Sequence, residues 1–402
     1  MRIVVYVAPF PLQTTLRFGQ ALAALPDVRL CGVFQKAPPS GAPFADVELV
    51  DDALDTDQIA AAVQAITARN GPPHRVLGIL ENIQEQLAEV RARLGVEGMD
   101  PPTAQRFRDK GIMKDALRAG GIPCARYTRV HSEADAREFI QHVGFPVVFK
   151  PPAGAGCRAT YRVRDEQGLS NALAEMRPSP QREVLAEEFL TGSEFSFETL
   201  TLGGDIRFSS IGRYLPTPLE VMETPWLQWV VHLPRDISGP EFAPVREIAP
   251  QVNATLGLDT AMTHMEWFRR PDGSVAIGEI AARPPGARIV DMMSWAHDRD
   301  LYEDWARLVV FGEVRGTFER RHSVAIGFLR GKGRGRVSAV LGVDAAHKKM
   351  GHLVVDRQLP IVGAPRSDTY EGDGWVILRH HDDDVVQAGM RELITTVQVE
   401  YA

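Results

Sequence analysis

The sequence predicts an α/β fold, with α+β character in its second half, and three observations carry that expectation. In roughly the first hundred residues, short apolar runs alternate with stretches of helical periodicity, which argues for a small open parallel sheet. Near residues 265–280, two apolar runs flank Pro271-Asp272-Gly273-Ser274, and Asp-Gly between apolar runs is a strong β-hairpin signal. From Ser323 onward short strands and turns dominate, followed by a helix near residues 385–395. A chain of 402 residues, 44% of them hydrophobic, is long enough for roughly two to four packed units.

The elements follow in order. Residues 2–7 read as a buried first strand, 14–25 as a helix, 28–34 as a second strand, 57–69 as a second helix and 76–80 as a further strand. Glu81 and Asn82 fall just past that strand, where open parallel sheets bind ligands, although Asn82 also suits a helix N-cap. Asp100-Pro101-Pro102 breaks the alternation. Thr103 can then cap a helix running through Arg106, Lys110 and Lys114 to Ala119, which Gly120-Gly121-Ile122-Pro123 ends. Residues 147–150 form a strand that delivers Lys150 into a Pro/Gly-rich loop. Residues 184–190 are the next strand, 191–193 a turn, and 194–201 alternate again. There is no internal repeat and no low-complexity tract.

Composition excludes several classes. Forty-five basic against 52 acidic residues give a formal charge of −7, and no basic block stands out, so nucleic acid is not an expected partner. Residues 330–336 are basic but short and glycine-broken, which reads as a solvated turn. The longest apolar runs are strand-length, so no membrane span is expected. The apolar run 3–8 is too short for a signal-peptide core. Cys31, Cys124 and Cys157 are widely spaced, which fits reduced thiols and a cytoplasmic protein rather than disulfides or zinc. His380-His381 before three aspartates reads as a solvated loop.

The chemistry concentrates in two places. Glu266 and Glu279 fall on opposite arms of the hairpin, where facing side chains come within about 5 Å. Two carboxylates that close repel unless a cation lies between them, and Mg²⁺ is commonly held by one or two carboxylates plus substrate phosphates. Arg283 and Pro284-Pro285-Gly286 follow at once. A divalent ion, an arginine and exposed amides can together hold a phosphate and a developing anion. Taken alone, the hairpin also fits two solvated glutamates on a sheet edge. The second place is residues 151–161, a glycine-rich segment between two apparent strands whose free amides can face phosphate oxygens. It has neither the order of a P-loop nor the helix start of a dinucleotide fingerprint.

Together, Asp109-Lys110, Lys150-Pro151-Pro152 with the glycine loop, Glu187-Glu188-Phe189-Leu190-Thr191-Gly192-Ser193-Glu194, and Glu266 with Glu279 through Arg283 occur in an order that resembles the ATP-grasp superfamily. Within it the chain is similar to carboxylate–amine ligases, bacterial L-amino-acid ligases among them. The resemblance implies four units: a pre-ATP-grasp parallel sheet over 1–102, a lid over 103–186, an antiparallel-sheet catalytic core over 187–314, and a C-terminal β-rich unit over 315–402. It implies ATP and Mg²⁺, with Mn²⁺ as an alternative ion. Lys110 and Lys150 would contact phosphates, Lys150 also lying near adenine. The loop 153–160, with Ala153, Gly154 and Gly156, would close over the triphosphate. Glu187, Glu188, Phe189 and Leu190 would meet adenine, and Glu194 the ribose hydroxyls. Glu266 and Glu279 would bind metal, and Arg283 the transferred phosphoryl group. Amides near Gly286 and the Arg288 side chain would stabilise an oxyanion.

The implied reaction is phosphoryl transfer to a carboxylate, then attack by an amine on the acyl-phosphate, giving an amide, ADP and phosphate. Phosphorylation repairs the poor electrophilicity and poor leaving group of a carboxylate, and a closed lid keeps water out. The region 214–232 would lie near the acceptor pocket. Glu223 there would hold an ammonium group, with Trp226 and His232 nearby, while Trp226 and Trp229 also fit a core. The partners are a small carboxylate and a small amine, with neither nucleic acid nor membrane, and a homodimer is expected because dimers are common in the superfamily. One departure stands out: the superfamily usually reads Glu-x-Asn-x-Arg, and this chain has Ala281 where the asparagine would bind metal. That departure leaves a noncatalytic nucleotide-binding protein as an alternative. An enzyme of biotin-carboxylase or purine-biosynthesis type is the other.

Overall fold

The computed structural model describes residues 1–154 and 156–402; Ala155, inside the glycine-rich loop, lies outside the described residues. The chain opens with strands β1 (Arg2–Val7), β2 (Val28–Phe34), β3 (Asp46–Leu49) and β4 (Pro73–Leu77), in the parallel order β3-β2-β1-β4. Helices α1 (Gln13–Ala23) and α2 (Thr56–Asn70) make crossovers, a loop joins β2 to β3, and α3 (Gln84–Leu94) follows β4. Parallel strands need such crossovers, and both faces of the sheet are then covered. Val5, Val33, Ile59 and Val63 pack on one face, while Val4, Tyr6, Phe18 and Leu22 join a core shared with the rest of the molecule.

The helix predicted from Thr103 to Ala119 is two helices, α4 (Pro101–Arg108) and α5 (Lys110–Ala119). Asp100, not Thr103, caps the first, its side chain accepting from the Thr103 amide at 2.7 Å with Pro101 and Pro102 in the first turn. Asp109 is extended (φ −89°, ψ 113°) and caps the second, accepting from the Ile112 amide at 2.8 Å. An aspartate competes for backbone amides, so it starts a helix more readily than it continues one.

Strands β5 (Tyr127–Val130), β6 (Val147–Lys150), β7 (Tyr161–Val163) and β8 (Val184–Glu188) form an antiparallel sheet in the order β5-β8-β6-β7. Helices α6 (Glu133–Val143) and α7 (Glu166–Met176) cover it, enclosing Val130, Phe139, Phe149, Leu169 and Val184.

The large sheet has eight strands. Its members β9 (Ser193–Leu202), β10 (Asp205–Leu215), β11 (Trp229–Leu233), β12 (Ala261–Arg269), β13 (Val275–Ala281) and β14 (Ser323–Leu329) are interleaved with α8 (Pro218–Glu223), α9 (Ala243–Leu256), α10 (Ile289–His297) and α11 (Leu301–Phe311). After β14 come β15 (Gly331–Lys332), β16 (Val337–Leu341), α12 (Val343–Met350), β17 (Val354–Gln358), β18 (Gly374–His380), α13 (Asp383–Thr396) and β19 (Gln398–Tyr401). The sheet order is β13-β12-β9-β10-β11-β14-β18-β17, with β15-β19-β16 as a separate three-stranded sheet. The predicted hairpin is β12–β13, with Gly273 at φ 85° in its turn. Gly192, at φ 128°, lets the chain enter β9 where a Cβ would stand 2.1 Å from the Arg269 carbonyl. The architecture is a mixed α/β fold with parallel and antiparallel sheets.

Candidate active site

The hairpin register pairs Glu266 directly with Glu279, and β9 places Ser196 beside Glu266. A register irregularity follows: Trp267 faces Ile277, so β13 carries one extra residue, Gly278. Such a bulge bends the strand and re-aims its side chains.

The two glutamates differ in their surroundings. Lys110 Nζ lies 2.9 Å from Glu279 Oε1. Burial would raise the Glu279 pKa, but Lys110 and then Lys150 overcome it and hold the carboxyl down to about 2. Glu266 is pushed upward instead, by burial first and then by the Glu279 charge. His264 Nε2 lies 3.9 Å from Glu266 Oε1. His264 is itself tied through Nδ1 to buried Glu198 at 2.9 Å. Glu194 is buried on the same strand face, and burial and the Glu266 charge raise its pKa well above the usual carboxylate range. A cation between the glutamates would lower all of these costs.

Cations surround the pair. Lys150 Nζ is 2.9 Å from Glu187 Oε2. Burial opposes its charge, yet Glu187 and Glu279 together raise its pKa to about 12. Lys110 also donates to the Gly154 carbonyl at 2.7 Å and its amide to the Pro152 carbonyl at 3.1 Å, and Arg108 donates to the Ala153 carbonyl. The start of the glycine-rich loop is thereby fastened to α5. Gly156 has φ 65°, and a Cβ there would meet the Tyr370 ring at 3.7 Å. Arg283 reaches Glu81 at 2.5 Å and its own neighbour's carbonyl, that of Pro284, at 2.9 Å.

Strand alternation separates Glu187 from Glu188. Glu187 is buried against the lysines, with Oε1 lacking a partner among the described residues. Glu188 accepts from the Arg126 amide at 2.9 Å and pairs with its guanidinium at 2.6 Å. Phe189 and Leu190 follow, half-buried, with Arg162 stacked over the Phe189 ring at 5.0 Å. At Pro284-Pro285-Gly286 the chain turns through Ala287 (φ 50°) and Arg288 (φ 55°) into α10. Two successive non-glycine residues in the left-handed region are a local strain. Arg288 is committed to Asp291 at 2.9 Å and lies 3.9 Å over the Trp375 ring.

The structure does not bring the expected acceptor residues to the glutamates. Glu223 is bound by Arg162 and by Arg164, the latter at 2.9 Å, so its carboxylate links α8 to β7 and the residue that follows it. Trp226 is half exposed. His232 shares a cross-strand row with Arg213, Phe195 and Trp267, one residue off the row of Glu266, and so faces the other side of the sheet. It contacts Ser323 Oγ at 2.9 Å and Asp383 at 3.2 Å. Trp229 belongs to the core, edge-on to Tyr370 at 4.6 Å. Residues not given a role from sequence also gather at the site: Arg108, Lys114, Glu198, His264 and Tyr370. Glu81, read from sequence as lying past the end of a sheet strand, joins them through Arg283. A cavity of about 450 Å³ lies beside Arg283 and Pro284, bordered by Leu77, Met99, Met262 and Trp305.

Among the described residues no group of three or more His, Cys, Asp or Glu is arranged to hold a metal ion. Glu266 and Glu279 nevertheless suit Mg²⁺, which needs few protein ligands when phosphates and water supply the rest.

Residues 115–290 match the profile of the ATP-grasp domain. The chain is 25% identical over 277 residues to the L-arginine-specific L-amino acid ligase of Bacillus subtilis, covering 67% of this chain and 66% of that protein. It is 24% identical over 270 residues to the alanine–anticapsin ligase of the same organism, covering 63% of this chain and 55% of the relative. The chain thus spans just under two thirds of the first relative and about half of the second. The crystal structure of an L-amino acid ligase from Bacillus licheniformis superposes with a TM-score of 0.83 at 17% identity, covering 100% of this chain and 99% of that one, and shows the shared fold. The carboxylate hairpin, the strand lysine and the glycine-rich loop thus lie in and beside a segment, residues 115–290, that matches the ATP-grasp domain, and the chain is similar to carboxylate–amine ligases of that superfamily.

Proposed function

We propose that the chain is an ATP-dependent ligase that joins a carboxylate to an amine through an acyl-phosphate, with substrates of amino-acid type, releasing ADP and phosphate. The observation that carries this reading is the facing pair Glu266–Glu279, one ionised against Lys110 and the other held half-buried without a cation. Mg²⁺ bound there would neutralise charge as the anionic carboxylate and the triphosphate meet. Lys110 and Lys150 hold phosphates beside it. Glu187, with an unpartnered buried oxygen, accepts from the adenine amine, and Glu194 from the ribose. Arg283 offers a planar fork to the phosphoryl oxygens once Glu81 releases it. The cavity beside Arg283 has the volume of a small-molecule site, and we assign it to one of the two substrates.

The division into pre-grasp, lid, core and C-terminal units is part of the same proposal, the glycine-rich loop of the lid excluding water from the acyl-phosphate. One observation favours a second reading. Ala281 stands opposite His264 in the register and offers no metal ligand, as a nucleotide-binding protein without turnover would tolerate. The test is phosphate release from ATP and Mg²⁺ across a matrix of amino-acid pairs, with mass spectrometry of the products. Release that needs both an acid and an amine, with a product of their summed mass less water, supports the ligase. Nucleotide binding by calorimetry with no release on any pair supports the second reading.

A further inference from the structure

Helix α5 presents three side chains to three consecutive residues of β13. Lys110 meets the Glu279 carboxylate at 2.9 Å, the Ile280 amide points at Met113 Sδ at 3.3 Å, and Lys114 Nζ donates to the Gly278 carbonyl at 2.9 Å. Positions i, i+3 and i+4 share one helix face, so these contacts form together or not at all. The segment they hold contains the extra residue of the bulge, which decides where the Glu279 carboxylate points.

Lys114 is the unexpected member. Its side chain is fully buried, at 0% exposure. A buried ammonium is costly unless partnered. Its other neighbour is Glu187 Oε2 at 3.5 Å, and that carboxylate already has Lys150 at 2.9 Å. Lys114 is therefore not needed to neutralise Glu187. What it alone supplies is a donor to the bulge carbonyl, at a glycine whose backbone has no side chain to restrain it.

We propose that Lys114 is a positioning residue: by fixing the Gly278 carbonyl it aims Glu279 across the hairpin at Glu266, and through Glu187 it links that aim to the nucleotide end of the site. The inference rests on the metal and nucleotide roles proposed above, and it concerns how this chain prepares its carboxylate pair rather than which groups touch the reactants.

The test uses the full chain. Lys114→Met keeps length and removes the donor. Mn²⁺ binding is titrated by electron paramagnetic resonance in the presence of a non-hydrolysable ATP analogue, and thermal unfolding is followed without ligands. The expected result is a 10- to 100-fold loss of Mn²⁺ affinity, the range typical of lost outer partners of metal ligands, with the ligand-free midpoint not lowered. Gly278→Ala perturbs the same bulge from the other side, since its Cβ would come within 3.2 Å of the Glu266 carbonyl oxygen and the Phe268 ring. It should weaken Mn²⁺ in the same direction, and the double variant should lose less than the two losses combined, because both act through one segment. A Lys114→Met protein that binds Mn²⁺ within twofold of the unaltered protein overturns the proposal, whether or not its midpoint falls. Should that variant not fold, undiminished Mn²⁺ affinity in Gly278→Ala overturns it. If the unaltered protein binds the analogue by calorimetry but no Mn²⁺, the metal role itself fails, a distinct outcome that removes the inference with it.

Discussion

Glu266 and Glu279 carry the same side chain and opposite electrostatics, and each half of that asymmetry is testable. The Glu266 pKa is raised, so in the ligand-free protein the folded state holds its proton above the ordinary carboxylate range. Its contribution to stability is full below that range and is lost as pH rises through the raised value. Glu266→Gln should therefore raise the melting midpoint of the ligand-free protein at pH 8 and change it little at pH 4. Equal midpoints at pH 8 would sink the assignment of a strained carboxylate. For Glu279 the sign reverses: with its pKa held down to about 2, its stabilisation is present above pH 4.5 and is lost as pH falls toward 2. Glu279→Ala should abolish ATP-dependent phosphate release while circular dichroism stays unchanged, and near-normal turnover would remove Glu279 from the metal role. These two residues were legible in the sequence because Asp-Gly between two apolar runs marks a hairpin and puts one carboxylate on each arm. Lys114 and His264 were not, because their significance lies in a bulge and in a cross-strand neighbour that no local spacing announces.

At the scale of elements, strands were read closely where apolar runs ended at glycine or proline, as at Val28–Phe34 and Val147–Lys150. The α4–α5 junction was not, because Arg106, Lys110 and Lys114 keep helical spacing across the Asp109 break. Helices α10 and α11 also escaped. Ile289, Val290, Met292, Met293, Leu301, Trp305 and Leu308 are all buried, and helices so widely covered lack the single apolar stripe that marks a surface helix. The acceptor residues proposed from sequence fared differently again: Glu223 is claimed by two arginines, one on β7 and one just after it. A carboxylate held by Arg162 and Arg164 acts as a latch between α8 and β7. Under the proposed function, Glu223→Ala should then raise phosphate released per amide formed, as water reaches the proposed acyl-phosphate, with the Michaelis constant for the amine little changed. A large rise in that constant with coupling intact would instead give Glu223 to the substrate.

At the scale of the molecule, the distribution of apolar cores decides which parts can move. Val4 and Tyr6 of the N-terminal sheet and Phe18 of its helix α1 share one core with Trp229, Met292, Tyr302 and Trp305, and Phe18 packs edge-on against both Tyr302 and Trp305, at 4.7 and 4.8 Å. The N-terminal sheet and the large sheet are thus bound through a common interior. The four-stranded sheet of β5–β8 is different: Val130, Phe139, Phe149 and Val184 close a core of their own. Charged contacts join it to the rest, Lys114 on Glu187, Arg270 on Glu188, and Glu223 on the two arginines. A unit with its own core and polar attachments opens at lower free energy than one sharing an apolar interior. Hydrogen exchange followed by mass spectrometry should show β5–β8, α6 and α7 exchanging as one cooperative block, faster than β9 and β12. Addition of a non-hydrolysable ATP analogue with Mg²⁺ should slow that block by tenfold or more, because the proposed site spans Lys150 and Glu187 on one side and Glu266 and Glu279 on the other. The strands β1–β4 should respond little, since their protection comes from the shared interior. If the block exchanges no faster than β9 and β12, and nucleotide leaves it unchanged, it is not a separately mobile lid, and exclusion of water must come from the glycine-rich loop alone.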